Sequence, residues 1–405
     1  MEDQRQVAWP LARSPDGPLL PYINDIIILL QNDGYTETTI SRYIRLASDF
    51  STWLKINNIE EKHICRSYAD KYLCIRREYR KPTRDDKRVM NVIIALVERL
   101  GVTETCSPET PIGTNEVIIE RYKHYVEIER GRSNKTFRNY LRHIRSFLTF
   151  HNGPIEDITV ASVFAFIRYY SQTISSRQMF ETAVALRSFL TFANYCGYIS
   201  NNVAQAVPRV AQTHVNSIPR GISQEHLSST LNSCDLRTDI GRRDYAILLL
   251  LARLGLRGGE IVNIELDDID WRSGSLRVRG KGGYHTTLPL PYDVGEAIAN
   301  YLKGRKRSNG SRALFLRSIA PARGLRNSVS MCAIVGQAIK RAQIDAPRRG
   351  SHQFRHALAT QMLKCGNSLP EIGQILRHAN IQNTTIYAKV DITSLRSLAL
   401  PWPGE

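Results

Sequence analysis

The residues best suited to chemistry lie in the stretch from His352 to Tyr387. It contains His352, Arg355, His378 and Tyr387 at short spacings. His352 and Arg355 are three residues apart, so on a helix they share one face. An arginine and two histidines can bind the oxygens of a phosphodiester, and a tyrosine hydroxyl can attack its phosphorus. A single tyrosine is more often a packed aromatic residue than a nucleophile, so the case for Tyr387 depends on these neighbours.

A second group of candidates lies about a hundred residues earlier in the chain. Arg257 follows Gly255 at the predicted start of a helix, where the helix dipole and the guanidinium both favour a phosphate. Glu260, three residues on, can hold that guanidinium in position, although a plain surface ion pair is the commoner case. Lys281 stands in a glycine-rich turn and becomes relevant only if the turn reaches the same phosphate.

A zinc site is the alternative interpretation of the histidine cluster. His352 and His356 are four residues apart, as in the helix of zinc proteases. That motif requires Glu directly after the first histidine, and position 353 is Gln353. We therefore expect no metal ion at these histidines.

The whole chain carries a strong positive charge. Its 405 residues include 55 Lys and Arg against 38 Asp and Glu, a formal net charge of +17. A field of this size attracts a polyanion, so we expect double-stranded DNA as the partner. The seven scattered cysteines form no CxxC pair, which argues against a disulfide framework or a zinc knuckle. Without a signal-peptide pattern or an apolar run of membrane length, we expect a cytoplasmic protein with no membrane contact.

The order of apolar periods and breaks predicts several domains, as the chain length also suggests. We expect a lead-in (1–20), an N-terminal helical module (21–110), a second helical module (115–207), a linker (208–221) and a final domain with a C-terminal tail (222–405). Helical periodicity dominates both modules, and the linker is polar and bracketed by Pro and Gly.

The two helical modules share a weak repeat at a constant offset of 97 residues. Six residues (Gly34, Thr39, Tyr43, Arg45, Phe50, Trp53) align with six others (Gly131, Thr136, Tyr140, Arg142, Phe147, Phe150). Two amphipathic helices can share aromatic residues by chance. The common Gly start and the matching Tyr and Arg positions nevertheless favour a duplication.

A helix of the second module carries a basic face. Its candidate DNA-binding residues are Arg132, Lys135, Arg138, Arg142 and Arg145. Apolar residues fall on the other side of this helix, as expected for a helix that lies along a phosphate backbone. Charge-rich helical faces are usually only solvated, but the absence of acidic residues between positions 130 and 145 favours DNA.

The final domain is predicted to contain helices and one β-hairpin. The segment from Tyr245 to Leu254 is strongly apolar and predicts a buried central helix that ends at Gly255. Leu276 and Val278 alternate with arginines before the glycine-rich turn, and residues 286–290 supply a returning strand. The predicted fold class is therefore mainly α with a small antiparallel β-sheet.

In this order, the candidate residues resemble the pattern of the tyrosine recombinases of the phage integrase family. That pattern is an Arg followed by a Glu, a hairpin Lys, His-x-x-Arg, a further His, and a Tyr nine residues later. The matching residues here are Arg257, Glu260, Lys281, His352, Arg355, His378 and Tyr387. The match covers residues 115–398 and implies SAM-like helical DNA-binding modules followed by an α+β catalytic domain. It is nearest to integrases of mobile elements that carry an extra N-terminal region.

The resemblance implies that DNA strands are cut and rejoined through a 3′-phosphotyrosyl intermediate. Arg257, Arg355 and His378 would stabilise the charged phosphoryl oxygens. His352 would orient or deprotonate the tyrosine, and the hairpin lysine would protonate the leaving oxygen. No metal, cofactor or ATP is then required. The implied partners are DNA, further copies of the chain in a tetramer on DNA, and sister recombinases.

Two other functions fit part of the same pattern. A type IB topoisomerase shares the chemistry but rejoins the same strand, and an accessory protein would occupy the DNA site without cutting it. The chain also departs from the family pattern. Arg377 stands where most members have Gly before the histidine, which suggests an added DNA contact. Residues 1–110 have no counterpart in minimal members, so we expect them to contact DNA or another protein in the synapse.

Overall fold

The structure is a computed structural model. It describes residues 16–79, 85–103, 114–199, 202–210, 221–280, 284–305, 310–346, 350–378, 380 and 382–390. By contacts between residues the chain separates into two compact units. One unit is Ser107–Val215, and the other combines Met1–Cys106 with Asn216–Glu405. Among the helices that the structure describes, none has both the length and the apolar content needed to cross a membrane.

The N-terminal part of the larger unit is a group of helices around an aromatic core. Its helices are α1 (Ile23–Asn32), α2 (Glu37–Ile56), α3 (Arg66–Tyr79) and α4 (Asp86–Arg99), with 3-10 turns at Leu20–Tyr22 and Glu61–His63. Phe50 is fully buried, and its ring centroid lies 5.2 Å from that of Tyr72. Helix α1 ends just before Gly34, which has the left-handed φ of +81° that glycine tolerates.

The smaller unit is also helical. It contains α5 (Thr114–His124), α6 (Asn134–His151), α7 (Val160–Ser171) and α8 (Ser176–Tyr195), with a π-helical turn at Tyr125–Glu129 and 3-10 turns at Ile155–Asp157 and Val203–Ala206. Tyr122, Phe147 and Phe189 are fully buried in its core. The helix starts follow their caps: the Ser133 hydroxyl accepts the N–H of Thr136 at the start of α6.

Both helical groups share features at the predicted offset. Helices α2 and α6 begin 97 residues apart, and Phe50 and Phe147 are both fully buried. Gly34 and Gly131 both have a positive φ, +81° and +56°, just before these helices. These matches support the duplication, which stays a prediction, as do the predicted domain boundaries.

The C-terminal part of the larger unit surrounds one buried helix. Its helices are α9 (Gln224–Asn232), α10 (Asp239–Arg253), α11 (Gly258–Val262), α12 (Tyr292–Gly304), α13 (Ser328–Arg341), α14 (His352–Lys364), α15 (Leu369–Ile375) and α16 (Gln382–Thr385), with 3-10 turns at Leu266–Asp268 and Ile386–Val390. Residues 246–252 of α10 are buried throughout, which confirms the predicted central helix. It ends at Gly255, whose φ is +56°.

The same part contains a three-stranded antiparallel sheet, whose strand β2 contacts the short helix α11. Its strands, β1 (Ile269–Asp270), β2 (Ser275–Arg279) and β3 (His285–Pro289), pair in the order β1-β2-β3. Leu276 and Val278 are buried while Arg277 faces outward to bind Asp268, so the predicted alternation and hairpin are confirmed. Strand β1 was not predicted, because two residues are too short to show an alternating pattern.

Candidate active site

Three segments meet at one place in the C-terminal part of the larger unit. They are the start of α14, the turn before α11 and the segment after α15. Arg355, in the first turn of α14, is only 4% exposed. Its guanidinium donates to the carbonyl oxygens of Gly255 and Leu376. Burial, together with the charges of Arg257 and Arg377, lowers the pKa of Arg355 to about 10. Arg355 therefore links two segments of the site and remains charged at neutral pH.

Arg257 and Glu260 form the pair that their spacing predicts. Arg257 is the residue before the first turn of α11, and its guanidinium lies 2.7 Å from Glu260 Oε1. The backbone N–H of Arg257 also donates to Glu260 Oε2, at 2.9 Å. Glu260 is buried, which alone would raise its pKa, but these hydrogen bonds and the Arg377 charge hold the pKa below its usual range. The carboxylate is therefore ionised and fixes the guanidinium.

Arg377 brings a third guanidinium to the site. One of its nitrogens lies 3.2 Å from Glu260 Oε2, and another donates to the carbonyl of Ile375 at 3.1 Å. Its side chain is 13% exposed. Its φ is +55°, a left-handed conformation that costs a non-glycine residue about 1–2 kcal/mol. The position therefore has the backbone of a glycine but carries an arginine that reaches into the site.

The end of α15 sets the position of His378. The N–H groups of Arg377 and His378 donate to the carbonyls of Gln374 and Gly373, both at 2.9 Å. This is a Schellman motif, which places a left-handed residue just beyond a helix. Nδ1 of His378 lies 2.7 Å from the hydroxyl of Thr384, which is fully buried.

His378 is half-buried among cations. Burial, followed by the charges of Arg355 and Arg257, lowers the pKa of His378 to about 4. The imidazole is therefore neutral at pH 7, and with Nδ1 engaged by Thr384 its other nitrogen remains as a hydrogen-bonding group for a ligand.

Tyr387 is buried, with 1% of its surface exposed. It packs in a small apolar cluster with Ala359, Ile372 and Leu376. Burial raises the pKa of its hydroxyl, whereas the charges of Arg355 and Arg257 oppose that rise. The cations of the site therefore act on this hydroxyl, although the ring lies in the core.

The imidazole that contacts Tyr387 is His356. Its Nδ1 lies 2.9 Å from the tyrosine hydroxyl, and the two ring centroids are 5.7 Å apart. From the sequence, His356 was predicted only as an alternative zinc ligand. The role of orienting or deprotonating the tyrosine was predicted for His352. The available signal was a second imidazole directly after Arg355 on the same helix. Within the described residues, no three His, Cys, Asp or Glu side chains are grouped to hold a metal ion.

His352 lies at the start of α14 with its side chain exposed. Although part of the side chain is exposed, the surrounding protein excludes water from much of the ring. This burial is the main cause that lowers the pKa of His352. The charges of Arg355 and Arg257 lower it further. A neutral imidazole on the open side of the site is thus available to accept a proton. Lys281, by contrast, lies outside the described residues, between strands β2 and β3.

The predicted DNA-binding residues lie on or beside α6 in the smaller unit. All of them (Arg132, Lys135, Arg138, Arg142, Arg145) are exposed. Three have side-chain contacts within the same unit: Arg145 pairs with Glu116 at 3.1 Å, Arg138 donates to the Asn134 side chain at 2.6 Å, and Arg142 lies 3.5 Å from Nε2 of His143. The basic face is therefore accessible, with part of its charge offset by Glu116.

The candidate site combines three guanidiniums with one carboxylate. Arg257, Arg355 and Arg377 carry three positive charges, and Glu260 carries one negative charge. The excess of two positive charges suits an oxyanion, and the dielectric of a partly buried site strengthens the attraction. A phosphoryl group is such an oxyanion, and a tyrosine hydroxyl lies within the field of the same cations.

Comparison with known proteins identifies the family of this chain. Residues 222–393 match the phage integrase family and residues 119–195 match the phage integrase N-terminal SAM-like domain. The chain is 41% identical over 401 residues to y4rA of Sinorhizobium fredii, whose name describes an integrase/recombinase, with 98% of each chain covered. It is 29% identical to the tyrosine recombinase XerC of Oceanobacillus iheyensis, covering 69% of this chain and 94% of XerC.

A solved structure has the same fold. The XerH site-specific recombinase, bound to its palindromic difH substrate after cleavage, has a TM-score of 0.55 and 17% identity. The similarity covers 78% of this chain and 89% of XerH. The predicted mainly helical fold with a small sheet is thus confirmed. With a relative that matches over nearly its full length, the chain belongs to the phage integrase family.

Proposed function

We propose that this protein is a site-specific DNA recombinase that cuts and rejoins strands through a 3′-phosphotyrosyl bond. The main observation is that Arg257, Arg355 and His378 lie together at one site. The positive charges of the two arginines act on the hydroxyl of Tyr387. Membership of the phage integrase family and the likeness to named recombinases support the same function. No other tyrosine has to be invoked as the nucleophile.

Cleavage proceeds by transfer of the phosphoryl group to the tyrosine. The Tyr387 oxygen bonds to phosphorus, and the bond from phosphorus to the 5′ oxygen breaks. The phenol proton passes to His352, which is neutral and exposed, once the ring has left His356 and the core. Lys281 supplies a proton to the departing 5′ oxygen. The 5′-hydroxyl of a second strand then reverses these steps, and no strand end is lost.

The cations of the site stabilise the transition state. Attack raises the charge on the phosphoryl oxygens, and donors already fixed in place need no reorganisation at that moment. Arg355 is held by two carbonyls and Arg257 by Glu260. Each such donor supplies about 3 kcal/mol of stabilisation. The energy of the broken bond is kept in the phosphotyrosine, so neither ATP nor a metal ion enters these steps.

DNA and further recombinase subunits are the proposed partners. XerH was solved on its DNA substrate, and a lambda integrase was solved as a tetramer on a Holliday junction. By analogy, this chain assembles into a tetramer on DNA, alone or with sister recombinases, and moves a mobile element in the cytoplasm. The basic face beside α6 binds the phosphate backbone, and residues 21–110 add an arm-type DNA contact or a subunit contact.

The direct test uses a nicked duplex that spans the end of the DNA element carrying the gene. Cleavage of such a suicide substrate releases a short strand, which prevents rejoining and traps the covalent adduct. Wild-type protein should form an adduct that survives denaturing electrophoresis, and Tyr387→Phe should form none. Absence of an adduct with wild type, or its persistence with Tyr387→Phe, would show that the assignment is wrong.

Plasmid relaxation and footprinting separate the two other functions, because a type IB topoisomerase would also form a covalent tyrosine adduct on a nicked duplex. A type IB topoisomerase would relax any supercoiled plasmid without a defined site, whereas a recombinase exchanges strands between two sites. An accessory DNA-binding protein would give a footprint on the element's end with no adduct at any enzyme concentration.

A further inference from the structure

The structure assigns Arg377 as a positioning residue that fixes the Arg257–Glu260 pair, rather than as a contact to DNA. This inference rests on the proposed function, because its consequence is measured in DNA cleavage. It concerns a position where this chain carries arginine on a left-handed backbone that favours glycine. Three observations support it: the contacts of the side chain, those of the backbone, and the strain of the position.

The guanidinium of Arg377 is engaged within the protein. It lies 3.2 Å from Glu260 Oε2, while the guanidinium of Arg257 lies 2.7 Å from Oε1. Each oxygen of one carboxylate thus has its own arginine, and Glu260 cannot rotate without breaking a charged contact. A second Arg377 nitrogen donates to the carbonyl of Ile375 at 3.1 Å. With a side chain that is 13% exposed, Arg377 offers little surface to DNA.

The backbone of Arg377 touches the same pair from the other direction. Its carbonyl oxygen accepts from the Arg257 guanidinium at 3.4 Å. Arg257 is therefore held between the Glu260 carboxylate and the Arg377 carbonyl. A residue 120 positions further along the chain thus restrains the arginine that we propose to bind phosphate.

The backbone conformation at position 377 does not explain why the residue is arginine, so the explanation lies in the contacts of its side chain. The left-handed φ of +55° favours glycine, and the Schellman motif at the end of α15 needs no side chain at this position. Glycine would satisfy the backbone with less strain. An arginine kept here against that strain is accounted for by its contact with Glu260.

Positioning and DNA contact predict different measurements. A residue that aligns Arg257 changes the rate of cleavage but leaves the affinity for DNA nearly unaltered. A residue that binds a phosphate changes the affinity, and its removal reduces the slope of log K against log salt by about 1. A residue that only supports the fold changes the stability and reduces cleavage only through loss of folded protein.

The experiment compares full-length wild type with Arg377→Gly and Arg377→Asn, because both replacements tolerate the left-handed backbone. Single-turnover cleavage of the nicked duplex, DNA affinity at several salt concentrations, and thermal unfolding are measured for each protein. We expect cleavage to slow by about 10- to 100-fold, as for a small misplacement of a catalytic group. We expect nearly unchanged DNA affinity. Cleavage is expressed per folded protein, because the loss of a contact to the buried Glu260 carboxylate also lowers the melting temperature.

A second background tests the route through Glu260. Glu260→Gln already disturbs the carboxylate, so adding Arg377→Gly to it should slow cleavage by much less than in wild type. Any of three results would overturn the inference. Arg377→Gly could cleave at the wild-type rate, the two changes could have multiplicative effects on the rate, or Arg377→Gly could bind DNA more weakly with a smaller salt slope. These outcomes presuppose an adduct with wild-type protein. If wild type forms none, the proposed function itself fails.

Discussion

The hydrogen bond between His356 and Tyr387 leads to a prediction that can be measured without any DNA substrate. The two atoms are 2.9 Å apart, and the tyrosine is 1% exposed. A typical intramolecular hydrogen bond contributes about 0.5–1.5 kcal/mol, and an unsatisfied buried hydroxyl costs about 1–3 kcal/mol. His356→Ala should therefore lower the free energy of unfolding by about 1–3 kcal/mol beyond the loss of ring packing.

A double-mutant cycle isolates this one contact. The changes are His356→Ala, Tyr387→Phe and both together, assayed by denaturant unfolding of the full chain. Since Tyr387→Phe removes the hydroxyl, His356→Ala should cost less in that background, with a coupling energy of about 1 kcal/mol. His356→Asn can place an amide near the position of Nδ1 and should keep part of the coupling.

The matched control for this cycle is His352→Ala. This histidine lies on the same helix, but its side chain is exposed and it is not the imidazole at the tyrosine hydroxyl. Its coupling to Tyr387→Phe should be near zero. A coupling near zero for His356, or an equal coupling for His352, would refute the reasoning.

Three further predictions follow from the site and the basic helix. The pKa of His378 is depressed to about 4, so the unfolded chain binds the proton more readily. Stability should therefore fall as pH is lowered from 6.5 towards 4, and His378→Gln should show a smaller loss in pH-dependent thermal unfolding. Gly255→Ala would place a Cβ within 2.8 Å of a leucine side chain at a left-handed φ. Its melting temperature should drop by more than that of Gly274→Ala, where φ is also positive but no atom lies within 4 Å. Lys135→Ala should weaken DNA binding and reduce the salt slope by about 1, whereas Glu181→Gln, on another helix of the same unit, should leave both unchanged.

Local patterns in the sequence predicted much of the fold. The continuous apolar segment predicted the buried helix α10, and alternation at Leu276 and Val278 predicted the hairpin. Helix starts depend on equally local contacts, as where the Ser368 hydroxyl accepts the N–H of Glu371 at the start of α15. These features depend on neighbours a few positions away, which spacing alone can show.

Long-range pairings were not accessible to the same reasoning. His356 reaches a tyrosine 31 residues away and Arg377 reaches a carboxylate 117 residues away. The first pairing depends on how the 3-10 turn at Ile386–Val390 packs against α14, and the second on how the end of α15 meets α11. No periodicity in the sequence encodes either contact. The sequence did show that Arg377 departs from the family pattern, but it suggested a DNA contact where the structure shows an internal ion pair.

The burial of Tyr387 has a consequence for how long a DNA molecule must stay bound before it is cut. In the proposed mechanism the ring must leave its apolar cluster before its oxygen can reach a phosphorus. The observed cleavage rate is then the intrinsic rate multiplied by the fraction of time that the ring is exposed. Each 1.4 kcal/mol that favours the buried ring lowers that fraction about tenfold. At a random chromosomal sequence, the protein dissociates before the ring becomes exposed. Only a sequence that retains the protein through many openings is broken, so dwell time on DNA becomes a second criterion of specificity.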